Sequence, residues 1–248
     1  MSAQSGHTQS DPAVVWHDIE CGAYRADLPL WRELAAAHGD PILDVGAGTG
    51  RVALDLARAG WEVTALDHDP LLLSELTRRA EGRPVTTTVA DARDFDLAGQ
   101  FALILLPMQT IQLLGGSAGR RRFLLRARSH LRPGGVLAVA LTERFDLYRS
   151  GPGQPALAPD VGRRGETIYA SRPTAVRQAG NAVVIERRRE TITGNGRAVA
   201  EPEVIRLERL NAEQLERQAR GSGLEPVGRH TIGATDDHVG SVVVMLGG

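Results

Sequence analysis

A glycine-rich stretch, Asp44-Val45-Gly46-Ala47-Gly48-Thr49-Gly50, contains the residues of this sequence best suited to bind a small ligand. It follows an apolar strand pattern near 42–46 and precedes a helical pattern over 52–59. Glycine lets the backbone turn sharply and approach a ligand, and the N-terminus of the next helix presents unpaired N–H donors. Such a turn accepts a carboxylate well. We therefore expect a nucleoside-containing ligand with an anionic group at this turn.

Acidic residues follow the next two predicted strands. Asp67 ends the apolar strand 62–67, 17 residues beyond Gly50, and Asp91 comes just after the strand 85–89. A carboxylate at the carboxyl end of a strand can accept hydrogen bonds from both hydroxyls of a ribose. The dinucleotide fingerprint GxGxxG requires its third glycine where this sequence has Arg51, which argues against NAD as the ligand.

The order of these motifs resembles that of the class I S-adenosylmethionine-dependent methyltransferases over roughly residues 24–142. Their first motif is an acidic residue followed by GxGxG, which Asp44 and the glycines at 46, 48 and 50 match. The turn Leu131–Gly135 resembles their turn into the fifth strand. The resemblance implies that S-adenosylmethionine is the cofactor and S-adenosylhomocysteine the product.

The resemblance also implies roles for individual residues. It places Asp44 near the amino group of the cofactor, Asp67 at the ribose and Asp91 at the adenine amino group. The implied cofactor contacts are Tyr24, Asp44, Gly46, Ala47, Gly48, Gly50, Asp67, His68, Asp91, Ala92, Leu106 and Pro107. Candidate contacts to the methyl acceptor are Met108, Gln109, Gln112, Tyr148 and Tyr169. No residue is identified as a catalytic base, because displacement at an activated methyl group depends mainly on alignment.

The segment Pro107–Gln112 after the fourth strand bears on the acceptor. It lacks the Asn/Asp-Pro-Pro-Tyr/Phe tetrapeptide with which many enzymes that methylate amino groups of nucleic acids bind a planar nitrogen. A small-molecule acceptor is therefore favoured, and the methylated atom stays open between oxygen, nitrogen, carbon and sulfur. Two other hypotheses fit the same pocket: a regulatory protein that binds the cofactor without turnover, and a polyamine synthase that transfers an aminopropyl group.

Alternating strand and helix patterns predict a parallel sheet with helices on its faces. The predicted strands lie near 42–46, 62–67, 85–89, 101–106 and 135–142, and residues 12–38 are predicted to be helical. The resemblance implies a three-layer αβα sandwich whose seven-stranded, mostly parallel sheet has the order 3-2-1-4-5-7-6, with strand 7 antiparallel.

Three further segments alternate in polarity and predict an antiparallel meander over 166–178, 182–193 and 198–210. We expect a helix capped by Asn211 after them and a closing hairpin over 224–232 and 239–246. The predicted organisation is an N-terminal helical cap (1–40), a cofactor-binding core (41–143 and 211–248) and an inserted loop and antiparallel lid (144–210). Within the insertion, 144–165 is predicted to be an irregular connection because it is rich in Gly, Pro and Arg.

Composition restricts the possible partners. The net charge is -1, and all 29 basic residues are arginine, so no overall field attracts nucleic acid or a membrane. The arginines at 120–128 and 187–189 are interpreted as solvated faces. A single cysteine, Cys21, and a polar start over 1–11 without a secretion signal predict a cytoplasmic protein. No metal site is expected, since no histidine pair has ligand spacing, and the protein is expected to be a monomer or a homodimer.

Overall fold

The computed structural model describes residues 11–151, 156–235 and 238–248. In these ranges the helices are α1 (Pro12–Cys21), α2 (Leu28–His38), α3 (Ala53–Arg58), α4 (Pro70–Ala80), α5 (Gly116–His130) and α6 (Ala212–Arg220), with a short 3-10 helix at Thr110–Leu113. The strands are β1 (Ile42–Val45), β2 (Val63–Asp67), β3 (Val85–Val89), β4 (Phe101–Leu106), β5 (Leu131–Leu141), β6 (Tyr148–Arg149), β7 (Asp160–Arg164), β8 (Thr167–Ala179), β9 (Ala182–Ile192), β10 (Ala198–Glu208), β11 (Glu225–Ile232) and β12 (Ser241–Gly247).

Seven strands form one sheet in the order β3-β2-β1-β4-β5-β12-β11. Strands β1 to β5 pair in parallel, and β12 pairs antiparallel with β5 and with β11. This confirms the predicted order and the antiparallel seventh strand. The order reverses between β1 and β4, and in open sheets of this kind ligands bind outside the carboxyl ends of the strands at such a reversal.

Helices cover both faces of this sheet. On one face α2, α3 and α4 contribute Trp31, Leu56 and Leu76 to a core that includes alternate residues of β1, β4 and β12. On the other face α5 and α6 contribute Phe123 and Leu215 to a second core. Because both faces are covered, β1 and β4 are buried along their whole length, which explains why their sequences are continuously apolar apart from one acid in β1.

The second sheet has the strand order β10-β9-β8-β6, and β7 also pairs with β8. Its three long strands confirm the predicted antiparallel meander. The expectation that 144–165 has no regular element is wrong, since β6 and β7 form there as short edge strands on β8. Their few residues pair with an already formed long strand, so a weak local pattern is sufficient.

The helices near the two ends of the chain differ in how well they match the sequence predictions. The predicted helical segment 12–38 is divided into α1 and α2 by residues 22–27, whereas the cap of α6 is as expected, with Asn211 and Gln214 forming a reciprocal capping box. The expectation about a leader falls on residues 1–10, which lie outside the described residues. Among the described residues, no helix has the length and apolar character needed to cross a lipid bilayer.

Candidate functional site

The glycine-rich stretch forms a tight bend between β1 and α3. The N–H groups of Gly46 and Ala47 donate to the carbonyl of Leu66 on β2, at 2.8 and 3.0 Å. Gly46, Gly48 and Gly50 have φ values of +74°, +55° and +93°, in the left-handed region that favours glycine. The bend is therefore anchored to the neighbouring strand, at the reversal point of the sheet.

Side chains from two other segments lie against the bend. A Cβ atom added to Gly46 would lie 2.9 Å from Cγ2 of Thr110, and one added to Gly48 would lie 2.2 Å from Nε2 of His17. The bend is therefore bordered by the 3-10 helix on one side and by α1 on the other.

Asp44 lies in β1 immediately before the bend and is an unusual buried charge. It is 1% exposed, and neither carboxylate oxygen makes a hydrogen bond of normal geometry in the described structure. Burial raises the pKa of Asp44 to about 7, although the charge of Arg51 and the backbone N–H of Ala53 act in the opposite direction. A buried carboxylate without a partner is costly, so this position is suited to receive a cation.

Tyr24, between α1 and α2, is a second buried polar group whose hydroxyl has no hydrogen-bond partner in the described structure. The guanidinium of Arg51 lies 5.2 Å from the centroid of its ring and donates to its carbonyl oxygen. Arg51 also makes a two-point ion pair with Asp27, which accepts from the indole of Trp31. Arg51 and Asp27 act electrostatically on both Tyr24 and Asp44, so the two unpaired groups share one neighbourhood.

Asp67 ends β2 beside the bend, as expected. Its Oδ2 accepts from the N–H of Gly48 at 2.8 Å, and its Oδ1 accepts from the N–H of Asp69 at 3.0 Å. His68 is exposed, with its Nδ1 3.1 Å from Oδ1 of Asp67. These contacts fix the carboxylate of Asp67 at the carboxyl edge, where further lone pairs remain for a ligand.

Asp91 follows β3 and is partly exposed. Its carboxylate accepts from the backbone N–H of Arg93 and from the guanidinium of the same residue. These hydrogen bonds lower the pKa of Asp91 to about 2. Ala92 lies between the two residues and is partly buried. The chain is linked to the end of β2 here, because the N–H of Ala90 donates to the carbonyl of Asp67 at 2.9 Å.

The residues after β4 form the opposite side of the bend. Leu106 and Pro107 are buried, and Met108 is partly buried with φ of +55°, which is rare for a residue with a side chain. The side-chain amide of Gln109 donates to the hydroxyl of Thr142, just beyond β5, at 3.1 Å. Of the candidate acceptor contacts, Met108 and Gln109 thus lie at the carboxyl edge.

Gln112 is fully buried, and both ends of its amide are used within the protein. Its Nε2 donates to the carbonyls of Thr142 and Glu208, and its Oε1 accepts from the N–H of Thr142. It therefore joins the 3-10 helix, the end of β5 and the end of β10, which connects the second sheet to the first.

The two tyrosines proposed as acceptor contacts lie in the second sheet. Tyr148 forms part of β6 and pairs with Val176 of β8. Tyr169 is buried and makes an edge-to-face contact with Trp16 of α1, with ring centroids 5.3 Å apart. Tyr169 is thus part of the contact between α1 and the second sheet, whereas Met108 and Gln109 follow β4 at the carboxyl edge.

Helix α1 contributes residues that the sequence analysis did not identify as part of the site. The hydroxyl of Thr49 in the bend donates to Asp18, and Asp18 also pairs with Arg79 of α4 and Arg164 of β7. His17 lies beside Thr49 and Gly48. The contacts join residues more than 30 positions apart, so no local sequence pattern could have indicated them.

The interpretation of the arginine clusters as solvated faces is partly wrong. Arg120 is 5% exposed and pairs with Glu208 and Gln218. Arg189 makes a two-point ion pair with Glu20 of α1, and Arg187 pairs with Asp160 and Ser171. Arg187 and Arg189 are alternately spaced on β9 and both lie near Glu20, so one side of that strand faces α1. Arg122, Arg126 and Arg188 are exposed, as expected.

A groove of about 580 Å³ lies between the glycine bend and residues of α1, α2, α3 and α4. Arginines predominate in its lining, but most of them are paired with acids of the protein, such as Arg32 with Asp55 and Arg78 with Glu75. It borders the outer side of the bend, since Thr49, Gly50 and Arg51 are part of its lining, whereas Asp44, Asp67 and Asp91 are not. No group of three or more His, Cys, Asp or Glu that could hold a metal occurs in the part of the chain described.

The sheet order is Rossmann-like, and the glycine bend and the acids near the carboxyl ends of β1, β2 and β3 are arranged as expected for class I methyltransferases. Comparison with known families shows that residues 42–135 match the family described as "Methyltransferase domain".

Individual relatives are also named as methyltransferases. The chain is 28% identical over 125 residues to a cypemycin N-terminal methyltransferase of Streptomyces sp., with 50% of this chain and 51% of that protein covered. It is 36% identical over 115 residues to a probable cobalt-precorrin-6B C(15)-methyltransferase (decarboxylating) of Methanothermobacter thermautotrophicus, covering 43% and 56%. The matched region thus spans about half the length of these relatives.

The fold as a whole is similar to that of a sugar N-methyltransferase from Streptoalloteichus sp., with a TM-score of 0.71. The similarity covers 98% of this chain and 96% of that one, at 18% identity. It therefore includes the second sheet as well as the parallel sheet.

Proposed function

We propose that this protein is an S-adenosylmethionine-dependent methyltransferase that acts on a small molecule. The observation that carries the proposal is the buried, unpaired carboxylate of Asp44, next to a glycine bend that is joined to Asp67. The methyltransferase names of the relatives support the same conclusion.

The polar groups at the bend fit the cofactor piece by piece. Asp44 needs a cation, and the cofactor has an ammonium group on its amino-acid tail. Tyr24 offers an unpaired hydroxyl in the same neighbourhood, which can donate to the carboxylate of that tail. Asp67 retains acceptor sites for the ribose hydroxyls, and Asp91 can accept from the adenine amino group. We assign the other implied contacts, including His68, Ala92, Leu106 and Pro107, to the same edge.

The proposed reaction depends on alignment. When bound, the cofactor supplies a methyl group that is already activated by its sulfonium. The residues of this chain hold the two partners in line, and such orientation contributes up to about 7–11 kcal/mol in well-aligned systems. Asp44 and Asp67 fix the cofactor, while Met108 and Gln109 border the place of the acceptor. We assign no catalytic base.

The second sheet is proposed to be a lid that contributes to the acceptor site. It is fixed at the carboxyl edge through Gln112 and through α1, and it carries Tyr148 and Tyr169. We therefore divide the chain into an N-terminal helical cap (1–40), a core (41–143 and 211–248) and an inserted lid (144–210). Amines are the first acceptors to test, because a sugar N-methyltransferase shares the whole fold.

We further propose that the protein works in the cytoplasm, as a monomer or homodimer, without binding nucleic acid or a membrane. The single cysteine and the balanced charge support this assignment.

The proposed activity is tested by formation of S-adenosylhomocysteine from S-adenosylmethionine. The protein is incubated with pools of amino sugars, small peptides and phenols, and in parallel with RNA. Acceptor-dependent product with a small-molecule pool, absent for Asp44→Ala, is the expected result. Turnover with RNA alone would contradict the small-molecule assignment.

A further inference from the structure

His17 of α1 faces the middle of the glycine bend. Its Nε2 occupies the space that a side chain at position 48 would take, 2.2 Å from an ideal Cβ on Gly48. The N–H of Gly48 donates to Asp67, so the imidazole and that carboxylate are both next to the same residue. The charge of Asp67 is close enough to raise the pKa of His17, in opposition to burial.

The hydrogen bonds of Thr49 determine which nitrogen of His17 carries the proton. The hydroxyl of Thr49 has one proton and donates it to Asp18 at 2.9 Å. Its oxygen is 3.3 Å from Nδ1 of His17, so it can only accept from that nitrogen. Nδ1 is therefore protonated, and Nε2 presents a lone pair toward the bend.

Two features keep the imidazole in this state. Burial is the largest effect on His17 and lowers its pKa, which favours the neutral ring. Asp18, which orients Thr49, is held by two hydrogen bonds from Arg79 and one from Arg164. In the described structure Nε2 itself makes no hydrogen bond, so it is a fixed acceptor without a donor.

We propose that His17 is a cofactor-binding residue whose Nε2 accepts a hydrogen bond from one ribose hydroxyl, next to the hydrogen bonds that Asp67 accepts. The inference rests on the proposed function, since it concerns the same cofactor. It makes α1 part of the cofactor site, because His17 and Asp18 are adjacent on that helix. A second acceptor at the ribose distinguishes a hydroxylated sugar from one that lacks the hydroxyl group.

Calorimetry with S-adenosylhomocysteine and its 2′-deoxy and 3′-deoxy analogues tests this assignment. His17→Phe keeps a planar ring of similar size but removes the acceptor, whereas His17→Gln restores an acceptor oxygen near the position of Nε2. His230→Phe, on the edge strand β11, is the matched control. Thermal unfolding of each variant shows whether α1 remains folded.

His17→Phe is expected to weaken binding of S-adenosylhomocysteine by about three- to tenfold, the net value of one hydrogen bond. It should leave the affinity for one of the deoxy analogues unchanged, and His17→Gln should recover part of the loss. An equal loss for all three ligands, or no loss, overturns the role of His17 while S-adenosylhomocysteine still binds the unsubstituted protein. Failure of the unsubstituted protein to bind it overturns the proposed function and this inference together.

Discussion

At the scale of single residues, the site is defined by polar groups that have no partner. Asp44 and the hydroxyl of Tyr24 are buried without hydrogen bonds in the described structure, whereas the neighbouring buried charges of Asp27 and Arg51 are paired. Proteins satisfy most of their buried polar groups, so two unpaired groups beside one bend support a ligand site there; the third such group in the described residues, Nε of Arg172, lies in the second sheet.

The raised pKa of Asp44 predicts how ligand affinity changes with pH. An ammonium group binds the ionised carboxylate of Asp44. Because the pKa of Asp44 is raised to about 7, this carboxylate is mostly protonated at lower pH. The affinity for S-adenosylhomocysteine should therefore rise between about pH 5.5 and 7.5, where the amine of the ligand stays charged. Calorimetry at several pH values measures the effect.

Asp44→Asn is the control for this pH dependence, because it keeps the shape but cannot ionise. Its affinity should be lower and should change less with pH. For the stability of the ligand-free protein, the pH dependence has the opposite sign. Folding raises the pKa of Asp44, so the free energy of unfolding falls as pH rises from about 4 to 7 and then levels off. If the affinity of the Asp44→Asn variant changed with pH as much as that of the unsubstituted protein, the assignment of Asp44 would be contradicted.

Gly48 is predicted to tolerate no side chain, for two separable reasons. Its positive φ makes any other residue strained by roughly 1–2 kcal/mol, and a Cβ would collide with His17. Gly48→Ala should lower the free energy of unfolding by more than Gly60→Ala, because Gly60 also has a positive φ but no atom nearby.

Urea unfolding of the two glycine variants measures this difference. In a His17→Ala background the collision is absent, so Gly48→Ala should then cost, relative to His17→Ala alone, about as much as Gly60→Ala costs in the unsubstituted protein. Equal losses for the two single variants would show that the imidazole does not occupy the space beside Gly48.

At the scale of elements, α1 is one of the parts that connect the two sheets. Asp18 joins it to the bend, to α4 and to β7, while Glu20 joins it to β8 and β9. A helix that is only ten residues long is marginal by itself, so these contacts and the packing of Trp16 determine its position.

Glu20→Ala is expected to detach α1 from the second sheet. Glu20 is 9% exposed and pairs with Arg189, which keeps Glu203 as a second partner, so the change removes a two-point ion pair and the acceptor of Ser171 and should cost about 1–3 kcal/mol. Glu190→Ala, which breaks an exposed pair with Arg188 on the same strand, should cost under about 1 kcal/mol.

The two acidic variants are compared by chemical unfolding and by limited proteolysis, with cleavage within α1 expected to increase for Glu20→Ala alone. If both variants lose the same small amount of stability, the ion pair of Glu20 does not hold α1 in place.

Elements with strong local signals could be predicted from the sequence, and those that depend on distant contacts could not. The continuous apolar run of β4 and the capping residues Asn211 and Gln214 act within a few positions, so their elements were predicted nearly to the residue. Strands β6 and β7 form by pairing with β8, and their own sequences contain little β pattern.

The same division applies to the site. Asp44, Gly48 and Asp67 belong to ordered motifs, and the sequence indicated that they act together. The positions of His17 and Asp18 result from packing α1 against the bend, across more than 30 residues, which periodicity cannot reveal. Arg189 was misinterpreted for the same reason, because its partner Glu20 is 169 positions away.

At the scale of the whole molecule, the proposed cofactor site lies at the carboxyl edge of the mostly parallel sheet, and the second sheet is connected to the first at the same edge. Three polar contacts connect the sheets. Gln112 donates to the carbonyl of Glu208 in β10, Arg120 pairs with the side chain of Glu208, and Arg189 of β9 pairs with Glu20 of α1. The 29 arginines are balanced by 30 acids, and the internal arginines stabilise contacts between layers. The bend and the contacts between the sheets lie at the same edge. Ligand binding at the bend should therefore stabilise both sheets against unfolding.

Titration of S-adenosylhomocysteine into the folded protein by calorimetry tests the central claim most directly. The account predicts one saturable site per chain at about pH 7.5, with binding strongly weakened in Asp67→Ala and retained in Asp96→Ala, an exposed acid beyond the site. Absence of binding to the unsubstituted, folded protein, or equal binding to Asp67→Ala, would contradict it.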